Sequence, residues 1–208
     1  MEKLIFYLAL GMALFACQSE QHIAHATGVV GPNGKGTAEL YNVRGKIDAT
    51  TCTLSKAIGS IGGAICGSRA LIKHLSHMCR QFIFTSALPP SVAAASIASL
   101  DVIENDKALL ARLRKNCTTI QYELNHLGFN LLKSESAIIP LILKDDYQAY
   151  EMARRLEEKG VFVNPVTPPA VPKSLCRLRI SVMATHTDDH LEKTLKAFKT
   201  VGQEMKII

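Results

Sequence analysis

Apolar positions along this chain change their period several times, and each change marks a different kind of element. Residues 4–16 form a continuous apolar run, the length of a signal-peptide core and too short for a comfortable membrane span. Residues 18–46 carry Gly28, Gly31, Pro32, Gly34, Gly36 and Gly45 and read as loop. Residues 47–54 are β-branched and rich in Thr, which predicts a buried strand, and residues 61–66 predict the next one. Ser68 is placed to cap a helix running to about Cys79. Pro89 and Pro90 open a long helical stretch over residues 91–126, closed by Gly128. Its apolar positions Val92, Ala95, Leu100, Ile103, Leu109, Leu110 and Leu113 fit one amphipathic helix with a bend.

Beyond that point strands and helices alternate. Residues 138–143 predict a strand, 147–159 a helix ended by Gly160, and 161–164 a short strand. Residues 165–172 hold four prolines and read as loop, followed by a strand over 178–183 and a final helix over 187–205. That pattern describes a small α/β terminal domain. With 208 residues, 48% of them hydrophobic, the chain can bury the core of one large or two small domains.

A net charge of +6 suits a phosphorylated substrate, and no Lys/Arg tract or aromatic–basic interleaving marks a nucleic-acid binder. The six cysteines (Cys17, Cys52, Cys66, Cys79, Cys117, Cys176) are scattered, with no C-x-x-C pair. Their spacing argues against a zinc site or a disulfide framework and for a reducing compartment, the cytoplasm. The N-terminal run points the other way, because Leu14-Phe15-Ala16-Cys17 hints at lipoprotein processing and hence at export or membrane anchoring.

Lys56 is the position with the most chemical content. It lies between a Thr-rich strand and a glycine-rich turn, with small side chains around it. A lysine becomes an imine-forming nucleophile when desolvation or a cationic neighbour lowers its pKa. The Gly62-Gly63 pair lets backbone approach a ligand where a Cβ would clash. The plainer alternative is a surface lysine entering a turn.

The segment Thr51-Cys52-Thr53-Leu54-Ser55-Lys56-Ala57 resembles the cofactor-lysine segment of the α-oxoamine synthases, pyridoxal-phosphate enzymes of fold-type I. Three further blocks resemble that family in the family's order: residues 24–36, residues 82–90, and residues 177–181 followed by Met183-Ala184-Thr185-His186-Thr187. The resemblance runs from about Ala24 to the C-terminus. Within the family the strongest local likeness is to serine palmitoyltransferase, then glycine C-acetyltransferase, with aminolevulinate and amino-oxononanoate synthases behind.

The resemblance implies an α/β fold, the C-terminal part of a fold-type I transferase. Residues 1–21 would be a leader-like segment, 22–90 the remnant of the cofactor-binding large domain, and 91–208 a linking helix and small α/β domain. It implies pyridoxal phosphate as cofactor, no metal, and condensation of an amino acid (serine or glycine) with an acyl-CoA to a 2-amino ketone or 2-amino-3-oxo acid. Lys56 would carry the cofactor and serve as base. His25 would contact the cofactor's ring hydroxyl and Thr53 its phosphate. Thr85 would reach the phosphate held by a neighbouring subunit, which implies a homodimer. Arg179 would hold the substrate carboxylate, since a planar guanidinium fork suits that group. Arg177 competes with it, because strand alternation turns both the same way.

Two departures from the family pattern stand out. The family carries an aspartate three residues before the histidine, paired with the pyridine nitrogen, and His22 occupies that position here. The long N-terminal portion of the family, with most of its central sheet, has no counterpart, which would leave a parallel sheet with an exposed edge. These departures suggest an impaired enzyme, a decayed fragment, or a non-catalytic partner of a complete subunit.

Overall fold

The glycines of the first block close a loop upon itself. The computed structural model describes residues 26–208, so the apolar run, Cys17, His22 and His25 lie outside the described residues. Gly28 N donates to Gly34 O and Gly36 N to Val30 O, and Ala26 and Val30 are buried inside the turn. A short helix, α1 (Thr37–Leu40), follows. Its Glu39 carboxylate accepts from Asn33 N, Asn33 Nδ2 and Lys35 N at 3.0, 2.8 and 3.0 Å. Burial pushes the Glu39 carboxyl up, but those hydrogen bonds and the Lys35 charge outweigh it and hold the group below its ordinary range.

The two predicted strands form a hairpin, β1 (Ala49–Thr53) and β2 (Gly63–Gly67), antiparallel with Thr53 opposite Gly63. Ser68 caps α2 (Arg69–Met78) as expected, its hydroxyl accepting from Leu71 N. A single turn of helix, α3 (Arg80–Ile83), precedes the proline pair.

The bent helix expected over residues 91–126 is instead two helices, α4 (Pro90–Asn105) and α5 (Lys107–His126). Asp106 separates them. Its carboxylate accepts from Ala108 N and Leu109 N, so it starts a new helix where an uninterrupted one would need it to continue the old.

The chain divides into two compact units between Leu110 and Ala111. In the second, β3 (Ile138–Ile142), β4 (Asn164–Val166) and β5 (Arg177–Ser181) form an antiparallel sheet with β5 in the centre. The parallel sheet edge expected from the family pattern has no counterpart among the described residues, where both sheets are antiparallel. The strand predicted at residues 161–164 lies further along, at Asn164–Val166. Pro165 tolerates that place because β4 is an edge strand and pairs on one side only.

One face of this sheet carries the core. Ile139, Leu141, Leu178 and Ile180 are buried there together with Met152 and Leu156 of α6 (Asp146–Glu158) and Leu191, Phe198 and Val201 of α7 (Asp188–Glu204). Asp145 caps α6, and Thr187 and His190 form a reciprocal capping box on α7. The buried Asn116 side chain of α5 donates to Met183 O and His186 O, fixing the turn between β5 and α7. The other face of the sheet presents Arg177 and Arg179.

Candidate active-site groups

Lys56 sits in the turn that joins β1 to β2. Leu54 N donates to Gly62 O at 2.9 Å and Ser60 N to Leu54 O at 2.8 Å, which closes the turn at its base. Leu54 and Ile58, on either side of the lysine, are 1% and 3% exposed, so both anchor the turn in the interior. Lys56 itself is exposed, and Gly59 N donates to its carbonyl at 2.8 Å. Anchored backbone and free amine together give a nucleophile with a fixed starting point.

Hydroxyls gather beside it. Thr53 Oγ1 and Ser55 Oγ are 2.8 Å apart, and Ser55 N donates to Thr53 Oγ1. Gly62 has φ +97°, and a Cβ on Gly63 would lie 3.1 Å from Cys52 O, so the glycine pair serves the tight return of the hairpin. The Cys52 thiol donates to Thr27 Oγ1 at 3.6 Å, tying the glycine loop to β1. Burial, with a smaller contribution from Cys52, raises the Cys66 thiol above its ordinary value.

The sequence reading placed Thr53 and Lys56 together, and the turn joins them. It passed over Ser55, for which the signal was a second hydroxyl adjoining the lysine. Thr85 lies just after α3, where its hydroxyl donates to Gln81 O. It therefore finishes α3 and does not cap α4, which begins at Pro89 without a side-chain cap. Among the described residues no hydrogen bond joins Thr85 to the Lys56 turn.

The two arginines of β5 separate cleanly. Arg177 Nε donates to Leu175 O at 3.0 Å, and burial lowers the Arg177 pKa from its ordinary value. Arg179 Nε is buried with no hydrogen-bond partner among the described residues. A buried donor left unmet costs about 1–3 kcal/mol unless something fills it. Arg179 thus has the free directional donor that a carboxylate site requires, and Arg177 is committed to its own backbone.

An amine, two adjoining hydroxyls and a glycine-spaced hairpin match the needs of an aldehyde that also carries a phosphate: covalent attachment, oxygen-directed donors and close backbone. The donor set present therefore fits pyridoxal phosphate. No described helix is long and apolar enough to cross a membrane.

The mixed α/β fold is that of pyridoxal-phosphate-dependent transferases. The chain belongs to the aminotransferase class I and II family, whose sequence profile matches residues 23–198. It is 43% identical over 185 residues to an 8-amino-7-oxononanoate synthase of Thermoanaerobacter pseudethanolicus, which covers 89% of this chain and 47% of that protein. A serine palmitoyltransferase of Bacteriovorax stolpii is 41% identical over 175 residues, covering 84% of this chain and 42% of the relative. A solved serine palmitoyltransferase with its pyridoxal-phosphate internal aldimine superimposes with a TM-score of 0.85 at 34% identity, over 89% of this chain and 47% of that one. An 8-amino-7-oxononanoate synthase from Francisella tularensis gives 0.77 at 26% identity, over 89% and 54%. The chain spans about half the length of the curated relatives it matches. Serine palmitoyltransferase and 8-amino-7-oxononanoate synthase stand at similar identity, so identity alone does not choose between them.

Proposed function

We propose that this chain supplies the cofactor lysine and the carboxylate-holding arginine of a pyridoxal-phosphate acyltransferase that condenses an amino acid, serine or glycine, with an acyl-CoA. The observation that carries the reading is the Lys56 turn, an exposed amine on anchored backbone beside the Thr53–Ser55 hydroxyl pair. When bound, pyridoxal phosphate supplies the electron sink that makes an amino-acid α-carbon acidic.

The residues divide the work. Lys56 Nζ is the covalent attachment point and the proton acceptor at the substrate α-carbon. Thr53 Oγ1 and Ser55 Oγ orient the phosphate by donating to its oxygens. Arg179 holds the substrate carboxylate, fixing which α-substituent faces the base. His25 is assigned to the cofactor's ring hydroxyl by motif position, and Thr85 to the phosphate of a neighbouring subunit, which makes the working form a homodimer or a pair with a complete subunit. On this reading residues 22–90 carry the cofactor-holding groups and residues 91–208 the linking helices and carboxylate-holding domain. The free thiols of Cys52, Cys66, Cys79, Cys117 and Cys176 support a cytoplasmic setting.

The test is direct. The chain is incubated with pyridoxal phosphate, reduced with borohydride and mapped by peptide mass. The expected label is on Lys56 and disappears in Lys56→Ala. A label spread evenly over surface lysines would overturn the assignment.

A further inference from the structure

The strand register places Asn164 of β4 directly across from Arg179 of β5, so the two side chains stand on the same face of the sheet. On the other flank of Arg179 the register places Pro140 of β3, which has no polar side-chain atom. Asn164 is exposed, and its carboxamide makes no hydrogen bond among the described residues. The only side-chain polar neighbour that the ladder gives Arg179 is therefore a carboxamide that is itself free.

We infer that Asn164 is a substrate-contacting residue: its carboxamide N–H and the Arg179 guanidinium together hold the carboxylate of the amino-acid substrate. This rests on the reading of Arg179 as the carboxylate-holding residue. An ionised carboxylate offers about four lone-pair positions, of which a guanidinium fork occupies two. A neutral donor alongside fills a third. The identity of the neighbour matters because of its charge. An aspartate at residue 164 would pair with Arg179 inside the chain and consume the free donor. A lysine would repel it, and an apolar residue would leave the acid's remaining lone pairs facing carbon. Asparagine adds a donor and leaves the guanidinium available.

The experiment titrates L-serine into the full chain, with and without pyridoxal phosphate, and follows the Arg179 Nε–H and Asn164 side-chain amide resonances by NMR. Ethanolamine, which is serine without its carboxylate, is the control. Both resonances shift together and saturably with serine and stay still with ethanolamine. Asn164→Ala weakens serine binding about 10-fold, and Asn164→Asp about 100-fold, because the new carboxylate competes for Arg179. Unchanged melting temperatures show that both variants stay folded. If Arg179 shifts while Asn164 stays silent and Asn164→Ala binds as tightly as the parent, Asn164 has no such role and the Arg179 reading stands. If neither resonance moves while Lys56 is still labelled by reduction, the Arg179 reading fails and takes this inference with it.

Discussion

Arg177 and Arg179 share one face of β5, but Arg177 Nε donates to Leu175 O at 3.0 Å while Arg179 Nε is buried without a partner. The pair makes a built-in comparison, since each arginine serves as the control for the other. Arg179→Lys loses the planar fork and weakens binding of L-serine about 10-fold with little loss of stability. Arg177→Lys leaves serine affinity unchanged and lowers stability by about 0.5–1.5 kcal/mol, the worth of its backbone hydrogen bond. Calorimetric titration and urea unfolding of the two variants read both effects.

The Thr53–Ser55 pair is tested by cofactor retention. Thr53→Val is isosteric but cannot donate, so pyridoxal phosphate dissociates about 10-fold more readily during dialysis while Lys56 is still labelled by reduction. Ser55→Ala acts in the same direction. Retention equal to the parent in the double variant would remove both hydroxyls from the site.

Gly202 lies inside α7 where no added methyl group fits. A Cβ there would stand 2.6 Å from Phe129 Cζ and 3.0 Å from two atoms of Ile208. Phe129 is itself held edge-to-face against Phe198 at 6.0 Å. Gly202→Ala therefore destabilises the chain by about 1–3 kcal/mol through overpacking, despite alanine's better helix propensity. A fall in the urea midpoint without a change in slope is the expected result.

Glu151 on α6 gives a pH signature. Hydrogen bonds from Arg154 and then Arg155 hold its carboxyl down at about 2. The unfolded chain titrates this group near the ordinary value of about 4.3, so the folded pKa is the lower one. Its contribution is therefore present above that value and lost as pH falls toward 2. Glu151→Gln is less stable than the parent at pH 7, and the gap closes between about pH 4.3 and about pH 2. Urea midpoints measured across that range check it.

Much of this architecture was legible from residue order. Thr-rich and Gly-rich stretches flank Lys56 because a hairpin needs strand formers and then a return, and Ser68 and Thr187 announced their helices through the capping chemistry of short hydroxyl side chains. Asp106 was missed because its apolar neighbours keep a helical period straight through the break. The period records which way side chains face, whereas the break is made by one carboxylate and two amides. Residues 161–163 read as strand from their Val and Phe content, but pairing starts only at Asn164. The choice between the two arginines was closed to sequence in principle, since a period of two gives them the same direction. Only the carbonyl that one of them has found tells them apart.

The Lys56 turn has a further consequence for how the chain tolerates change. Most of its residues face solvent, and surface loops ordinarily accept insertions and deletions with ease. Here Leu54 and Ile58 are buried on either side of the lysine, so the spacing between them is fixed even though the residues between are not. Losing or gaining one residue there would pull an anchor out of the interior or swing the amine off its bearing. The turn is thus free in composition and rigid in length, and a comparison of sequence variants should find substitutions within it but no gaps.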